Sequence, residues 1–435
     1  MIQQMDKVIV IGGGLAGCEA AWQLACRGID VIMYEMRPKQ MTPAHHTSYL
    51  AELVCSNSLR SNRLENAVGL LKEEMRRLGS IIMKAADLHS IPAGGALAVD
   101  REGFSKYITE SIENHPHIKL VREELKRIPQ DGYVIVATGP LSSPSIAESI
   151  KELLQEEYLF FFDAAAPIVT YDSLEHSKIF RGSRYGRGDD YLNCSMTKEE
   201  YDKFWDELVN AEVVPVKDFE NQVFEGCMPI EVMAARGKDT LRFGPLKPVG
   251  LVDPRTGKQP YAVVQLRQDN DRGTLYNIVG FQTRLKFGEQ KRVFSLIPGL
   301  ENAEFVRYGV MHRNTFINSP KLLNHFYQMR NNPKIYFAGQ ITGVEGYVES
   351  ASSGLVAGRH LAYVLTNKNI LPFPETTAIG ALAHYISNPS VSNFQPMNVN
   401  FGIMAPLEER IKNKQERNRR ISERSLEIIN QFVDK

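Results

Sequence analysis

The run Val8-Ile-Val-Ile11 consists wholly of β-branched residues and stops at Gly12-Gly13-Gly14, with a further glycine at Gly17. An apolar run this short, ended by glycine, predicts a buried strand stopping at a tight turn. Residues Leu15 to Arg27 carry Ala, Glu, Trp and Leu at helical spacing, Gly28 closes them, and Asp30 to Glu35 reads as a second strand. Gly12-Gly13-Gly14-Leu15-Ala16-Gly17 therefore fits G-x-G-x-x-G in the strand–turn–helix–strand setting that gives the pattern its meaning. The first glycine makes the turn, the second lets the backbone approach a diphosphate, and the third lets helix and strand pack closely. The helix N-terminus offers N–H groups and partial positive charge to the phosphates. Glu35 follows Gly17 by eighteen residues, where a carboxylate can accept hydrogen bonds from a ribose diol.

Along the rest of the chain, residues 36–67 read as irregular and polar, and loops this long are usually functional. Helical spacing returns at Val68–Leu78 and from Glu102 to Ile112, with strands near Ile118–Val121 and from Tyr133. The stretch from about 161 to 304 is rich in turn residues and strand-like runs (Tyr261–Leu266, Leu275–Val279), with a helix near Lys198–Val209. It reads as a mainly β insertion. Residues 1–160 and 305–435 then form one discontinuous dinucleotide-binding domain, because that character resumes at Lys334-Ile-Tyr-Phe-Ala-Gly339 and a helix runs on to about Thr366. The tail from Leu407 reads as helical and basic.

The 435 residues are 43% hydrophobic and 23% charged, which excludes collagen-like, disordered and coiled-coil chains. No run of about 18 apolar residues predicts a membrane span, and no secretory signal pattern precedes Val8. Five scattered cysteines without a CxxC pair argue against a disulfide framework or a zinc site and for reduced thiols in the cytoplasm. Lys+Arg 51 balances Asp+Glu 51, so RNA binding would need a local patch. Arg181, Arg184 and Arg187 around Tyr185 form one candidate, and the tail, with Arg417 and Arg420, a second.

Val136-Ala-Thr-Gly139 and Tyr336-Phe-Ala-Gly339-Gln340 end in Ala and Gly as the later motifs of two-dinucleotide flavoproteins do, which favours FAD over NAD. No second G-x-G-x-x-G appears, so NADPH or NADH would be a transient reductant. Cys55, in Glu52-Leu-Val-Cys-Ser-Asn57, and Cys227, in Phe224-Glu-Gly-Cys-Met-Pro229, sit in turn-like settings that can present a thiol, whereas Cys18 and Cys26 read as packing residues of the first helix.

These segments, with Tyr34–Pro38, Thr42–Thr47, Phe243–Pro248, Gly280–Thr283 and Phe337–Gly354, are similar to those of the folate- and FAD-dependent tRNA uracil-5-methyltransferases, the TrmFO or Gid family. Longer Gid-type relatives carry an extra C-terminal helical region that this sequence does not include. The resemblance implies an α/β fold, with a Rossmann-like FAD-binding domain of the two-dinucleotide type and an inserted α+β domain. It implies methylation of carbon 5 of uridine 54 in the T-loop of tRNA, using 5,10-methylenetetrahydrofolate, FAD and NADPH or NADH. It implies Cys227 as the nucleophile at carbon 6, since a thiolate adds and leaves readily near neutral pH. Cys55 matches the second functional cysteine, for proton handling or protection of the flavin. Tyr347 is expected against flavin or folate, and Gly339 and Gln340 beneath the cofactor. His45 and His46 are weaker candidates for proton transfer. The residues leave open a ribosomal RNA substrate or a small-molecule flavin oxidoreductase, and no metal or obligate protein partner is expected.

Overall fold

The computed structural model describes residues 7–42, 44–155, 159–164, 166–186, 188–215, 228–309, 311–391 and 394–433. Strand β1 (Val8–Ile11), helix α1 (Leu15–Ala25) and strand β2 (Val31–Tyr34) open the chain. β1 is the centre of a five-stranded sheet ordered Ile335–Phe337, Val134–Val136, β1, β2, Ile118–Val121, and every neighbouring pair is parallel. A parallel sheet is covered on both faces, which is why its strands are apolar at nearly every position. The strand near the C-terminal end of the chain thus lies directly beside Val134–Val136. All three glycine-bearing turns, at Gly12, Gly139 and Gly339, follow the carboxyl ends of adjacent strands.

The two halves of this layer are locked by helix against helix. Helix Tyr347–Leu365 is buried along most of its length and crosses α1. Gly354 and Gly358, four apart and therefore on one face, press onto the backbone of α1. A Cβ at Gly354 would lie 2.1 Å from the Ala16 carbonyl oxygen, and one at Gly358 would lie 2.5 Å from that of Ala20. No side chain larger than hydrogen fits without moving a helix.

A second, largely antiparallel sheet has six strands in the order Ile179–Arg181, Tyr191–Met196, Ala262–Gln268, Leu275–Ile278, Ile168–Thr170, Phe305–Arg307. Its apolar core runs from Val169 to Ala303, while a larger core gathers residues from Val8 to Leu154 and from Phe316 to Ile429. The chain passes between the two through a two-stranded ribbon, Leu159–Ala164 against Met311–Phe316. Among the described residues no helix is long and apolar enough to cross a membrane.

Several expectations need correction. The irregular stretch 36–67 contains a strand, Ser58–Ser61, paired with Ala96–Val99; the partner is distant in sequence, so local pattern did not reveal it. Helices Ile81–Leu88 and Ala378–Ser387 were not anticipated. Helix Lys198–Val209 is found, but Ile230–Ala235, Thr240–Phe243 and Phe287–Phe294 are helical in the same region as well. The tail helix starts at Lys414 rather than Leu407, where Asn413 accepts the Glu416 N–H and caps it.

Gly354→Val should drive the two helices apart. We expect a loss of roughly 1–3 kcal/mol, by analogy with overpacked cores, read as a lower thermal midpoint. An unchanged midpoint would show that the helix contact is not limiting.

Candidate functional site

A cleft enclosing about 1050 Å³, its open mouth included, runs along the carboxyl ends of β1, Val134–Val136 and Ile335–Phe337. Gly12, at φ +107°, makes the turn out of β1. A Cβ on Gly17 would lie 1.9 Å from the Gly12 carbonyl oxygen, so the first turn of α1 is drawn tight against the strand end. Gly14 differs: nothing lies within 4 Å of where its Cβ would be. It faces the cleft, as do Gly13, Leu15 and Ala16. The leading N–H groups of α1 have no acceptor within the helix and carry its positive end.

Glu35 is buried and also lines the cleft. One carboxylate oxygen accepts the Gly13 N–H at 2.8 Å; the other accepts the Arg37 N–H at 2.9 Å and Arg37 Nε at 3.0 Å. Burial pushes its pKa up, but the Arg37 guanidinium and these donors outweigh that and hold it below the usual carboxylate range. Arg37 reaches onward to Glu52 at 3.2 Å, and Glu52 gathers the N–H groups of His46 and Thr47. This chain of charges fixes residues 45–52 as one wall. Arg37 had a sequence signal that was overlooked, since it lies two residues beyond Glu35.

His45 lines the same wall, its Nδ1 2.6 Å from Thr42 Oγ1. That hydroxyl already accepts two backbone N–H groups, so it donates to a neutral imidazole. Burial and then Arg37 push His45 down to about 4. His46 is exposed.

At the far end of the cleft lie Gly339, Gln340, Tyr347 and Val54. Gly339 N–H donates to Ser353 Oγ at 2.6 Å and Gln340 Nε2 to Glu345 at 2.6 Å, which orders the turn beneath the cleft floor. Tyr347 opens its long helix. Its hydroxyl accepts the Cys55 N–H at 2.7 Å, and loss of water raises the phenol above its ordinary pKa. Cys55, the residue after Val54, is half-buried. Its carbonyl, and those of Leu53 and Val54, accept hydrogen bonds from Arg101 and Arg307. Both arginines come from distant segments, and nothing local in the sequence pointed to them.

Cys227 lies outside the described residues. The chain on either side of it is anchored on one short stretch: Val214 N–H donates to Arg284 O at 2.9 Å and Ile230 N–H to Gln282 O at 2.7 Å. Glu231 further holds the Thr283 hydroxyl and the Arg284 N–H. Cys18 is buried, as expected, and burial raises its thiol pKa. Cys26, expected to pack, is instead exposed at the end of α1 because the helix has finished there.

The basic clusters stand away from the cleft. Arg181 is exposed, and the neighbouring Tyr171 and Tyr276 strengthen its hold on its proton. Arg184 is tied to Gln265, Lys247 O and Val249 O, so its guanidinium holds a loop; Arg187 lies outside the described residues. Arg417 and Arg420 are exposed on the tail helix, with Arg420 3.2 Å from Glu416.

Fold and cleft together define a dinucleotide-binding protein of the two-dinucleotide flavoprotein type. Residues 7–369 match the family described as Glucose inhibited division protein A, and the chain belongs to that family. It is 64% identical over 433 residues to a protein of Acetivibrio thermocellus, covering 99% of both chains, and 64% identical over 431 residues to one of Desulforamulus reducens, covering 99% of this chain and 98% of the relative. Both are named "Methylenetetrahydrofolate--tRNA-(uracil-5-)-methyltransferase TrmFO". Among solved structures, Aquifex aeolicus GidA in its form II crystal superposes with a TM-score of 0.71 at 15% identity, covering all of this chain and 74% of that one.

The cleft fits FAD. Gly14 leaves room for a diphosphate over the positive end of α1, Glu35 lies at the end of β2 for a ribose, and Tyr347 offers a ring at the opposite end. Gly14→Val should cut flavin affinity at least tenfold, about 1.4 kcal/mol, without lowering the apoprotein's thermal midpoint. Retention of FAD at the normal ratio of flavin to protein absorbance would contradict this.

His45 adds an acid limb. Its folded pKa lies below its unfolded one, so its contribution is present above about pH 6.5 and lost as pH falls toward 4. Between those values the wild-type midpoint should drop more steeply than that of His45→Gln. Parallel curves would remove His45 as the cause.

Proposed function

We propose that this chain methylates carbon 5 of uridine 54 in the T-loop of tRNA, taking the carbon from 5,10-methylenetetrahydrofolate and reducing equivalents from NADPH or NADH. The observation that carries this is the 64% identity over nearly the full length to relatives bearing the methyltransferase name. A cytoplasmic location goes with that substrate.

When bound, FAD supplies the two-electron reduction that turns the folate's one-carbon unit into a methyl group. The chain's own residues do the rest. Gly12 to Gly17 seat the diphosphate and Glu35 the ribose. Tyr347 walls the reacting end against water, which a reactive one-carbon species requires. Carbon 5 of uracil is a poor nucleophile until something adds at carbon 6; Cys227 forms that C–S bond. Once carbon 5 has gained its new carbon, Cys55 takes the proton left there, and cleavage of the C–S bond restores the ring double bond. The target base leaves its stack to be reached. We read residues 161–304 as an insertion domain within a discontinuous FAD domain of 1–160 and 305–435; the two apolar cores support such a division, with strand Phe305–Arg307 falling on the insertion's side of it. Arg181, Arg187, Arg417 and Arg420 are offered as contacts to RNA phosphates.

Incubating the yellow protein with tRNA, NADPH and methylenetetrahydrofolate should yield 5-methyluridine on nucleoside analysis. Cys227→Ala should keep FAD and lose product by more than a hundredfold, the scale of a removed nucleophile. Normal product formation by that variant would reject Cys227. No 5-methyluridine from the flavin-loaded wild type would reject the function.

A further inference from the structure

Among the described residues, cations outnumber anions around the Cys55 loop. Arg101 donates to the carbonyl oxygens of Leu53 and Cys55, the latter at 2.9 Å, and Arg307 to that of Val54. Arg267 donates to Ser56 Oγ at 2.7 Å and Asn57 Oδ1 at 3.2 Å. Five successive residues are therefore gripped by three guanidinium groups, from helix Arg101–Glu113 and from strands Ala262–Gln268 and Phe305–Arg307. The remaining element is the Tyr347 helix, whose hydroxyl takes the Cys55 N–H.

Among the described residues the carboxylate facing this cluster is Asp269, bidentate to Arg101 at 2.8 and 3.1 Å and almost fully buried. Asp100 turns to the Gly103 and Asp271 N–H groups, and Glu52 to Arg37. Three guanidinium groups against one carboxylate leave an excess of positive charge in a site largely shut from water, an arrangement that favours an anion within it. Burial weakens the hold of Arg267 and of Arg307 on their protons, Arg101 weakens that of Arg307 further, and the Cys55 side chain acts in the opposite sense on all three. Tyr347 and Tyr191 are both held above the usual phenol range, so neither supplies the anion.

We propose that Arg101, Arg267 and Arg307 are positioning residues that fix the Cys55 loop and keep its sulfur as a thiolate near neutral pH, the proton passing to water. This deepens the proposed function, resting on Cys55 belonging to the reacting site, and it supplies that site with a ready proton acceptor.

The test is the pH profile of Cys55 alkylation by iodoacetamide in the flavin-loaded protein. It is read by mass spectrometry on the tryptic peptide 40–60, which contains no other cysteine. The midpoint should lie below that of the same peptide in urea. Arg307→Gln should raise it by half to one unit, so that labelling at pH 7, where about half or more of the wild-type sulfur is ionised, falls by at most about two- to fivefold, while Arg307→Lys restores most of the loss and flavin content stays constant. A wild-type midpoint at or above the urea value, no labelling at any pH, or an unshifted Arg307→Gln profile would each overturn the proposal. Because alkylation needs neither tRNA nor folate, the thiolate can fail while 5-methyluridine still forms, and the methyltransferase reading can fail while the thiolate stands.

Discussion

The architecture hangs on backbone meeting backbone between α1 and helix Tyr347–Leu365. Their separation is set by two glycines whose missing side chains admit the carbonyl oxygens of Ala16 and Ala20. Everything that faces the cleft from the later part of the sequence is placed by that contact. Tyr347 is the first residue of the crossing helix, and Gly339 leads into it. A protein interior is close-packed, so a displacement of one helix is passed to its neighbours rather than absorbed. Burial of both helices where they meet leaves no slack to take it up.

Charge then finishes what packing begins. Arg37 links the carboxylates of Glu35 and Glu52, so the strand end and the wall opposite it share one electrostatic spine. At the other end of the cleft, Arg101 joins Asp269, just past strand Ala262–Gln268 of the second sheet, to the carbonyls of Leu53 and Cys55. Buried ion pairs add little net stability, but removing one partner strands the other, typically at 3–5 kcal/mol. Their value here lies in geometry: each fixes a loop that has no regular structure of its own.

How much of this could be read in advance depended on sequence distance. β1, α1 and β2 were legible because strand, turn glycines and helix are contiguous, and each glycine has a local steric reason. Helix Lys198–Val209 was legible for the same kind of cause, its Thr197 and Glu200 forming a reciprocal cap. Helix Ile81–Leu88 had a comparable signal in Ser80, which accepts the Met83 N–H, but Ile81-Ile-Met83 reads equally well as a strand. Ser58–Ser61 could not be read, since its partner lies nearly forty residues on. In the site, the glycines, Glu35 and Tyr347 were visible through a motif or a resemblance. Arg101, Arg267, Arg307 and Asp269 were not, because an arginine alone in sequence looks like any solvated charge until folding brings three of them to one loop.

The ribbon formed by Leu159–Ala164 and Met311–Phe316 has a bearing on how such a protein can change over time. The excursion departs and comes back along one antiparallel ladder, with Leu159 opposite Phe316 and Ala164 opposite Met311. The nucleotide-binding half is therefore presented with two ends at a constant spacing, whatever is strung between them. Added residues beyond that stem raise closure entropy only logarithmically, about 0.6 kcal/mol for each doubling of loop length. A lineage could therefore lengthen the outer loops of the excursion without moving its two ends, provided Arg267, Asp269 and Arg307 keep their hold on residues 53–57 and Arg101.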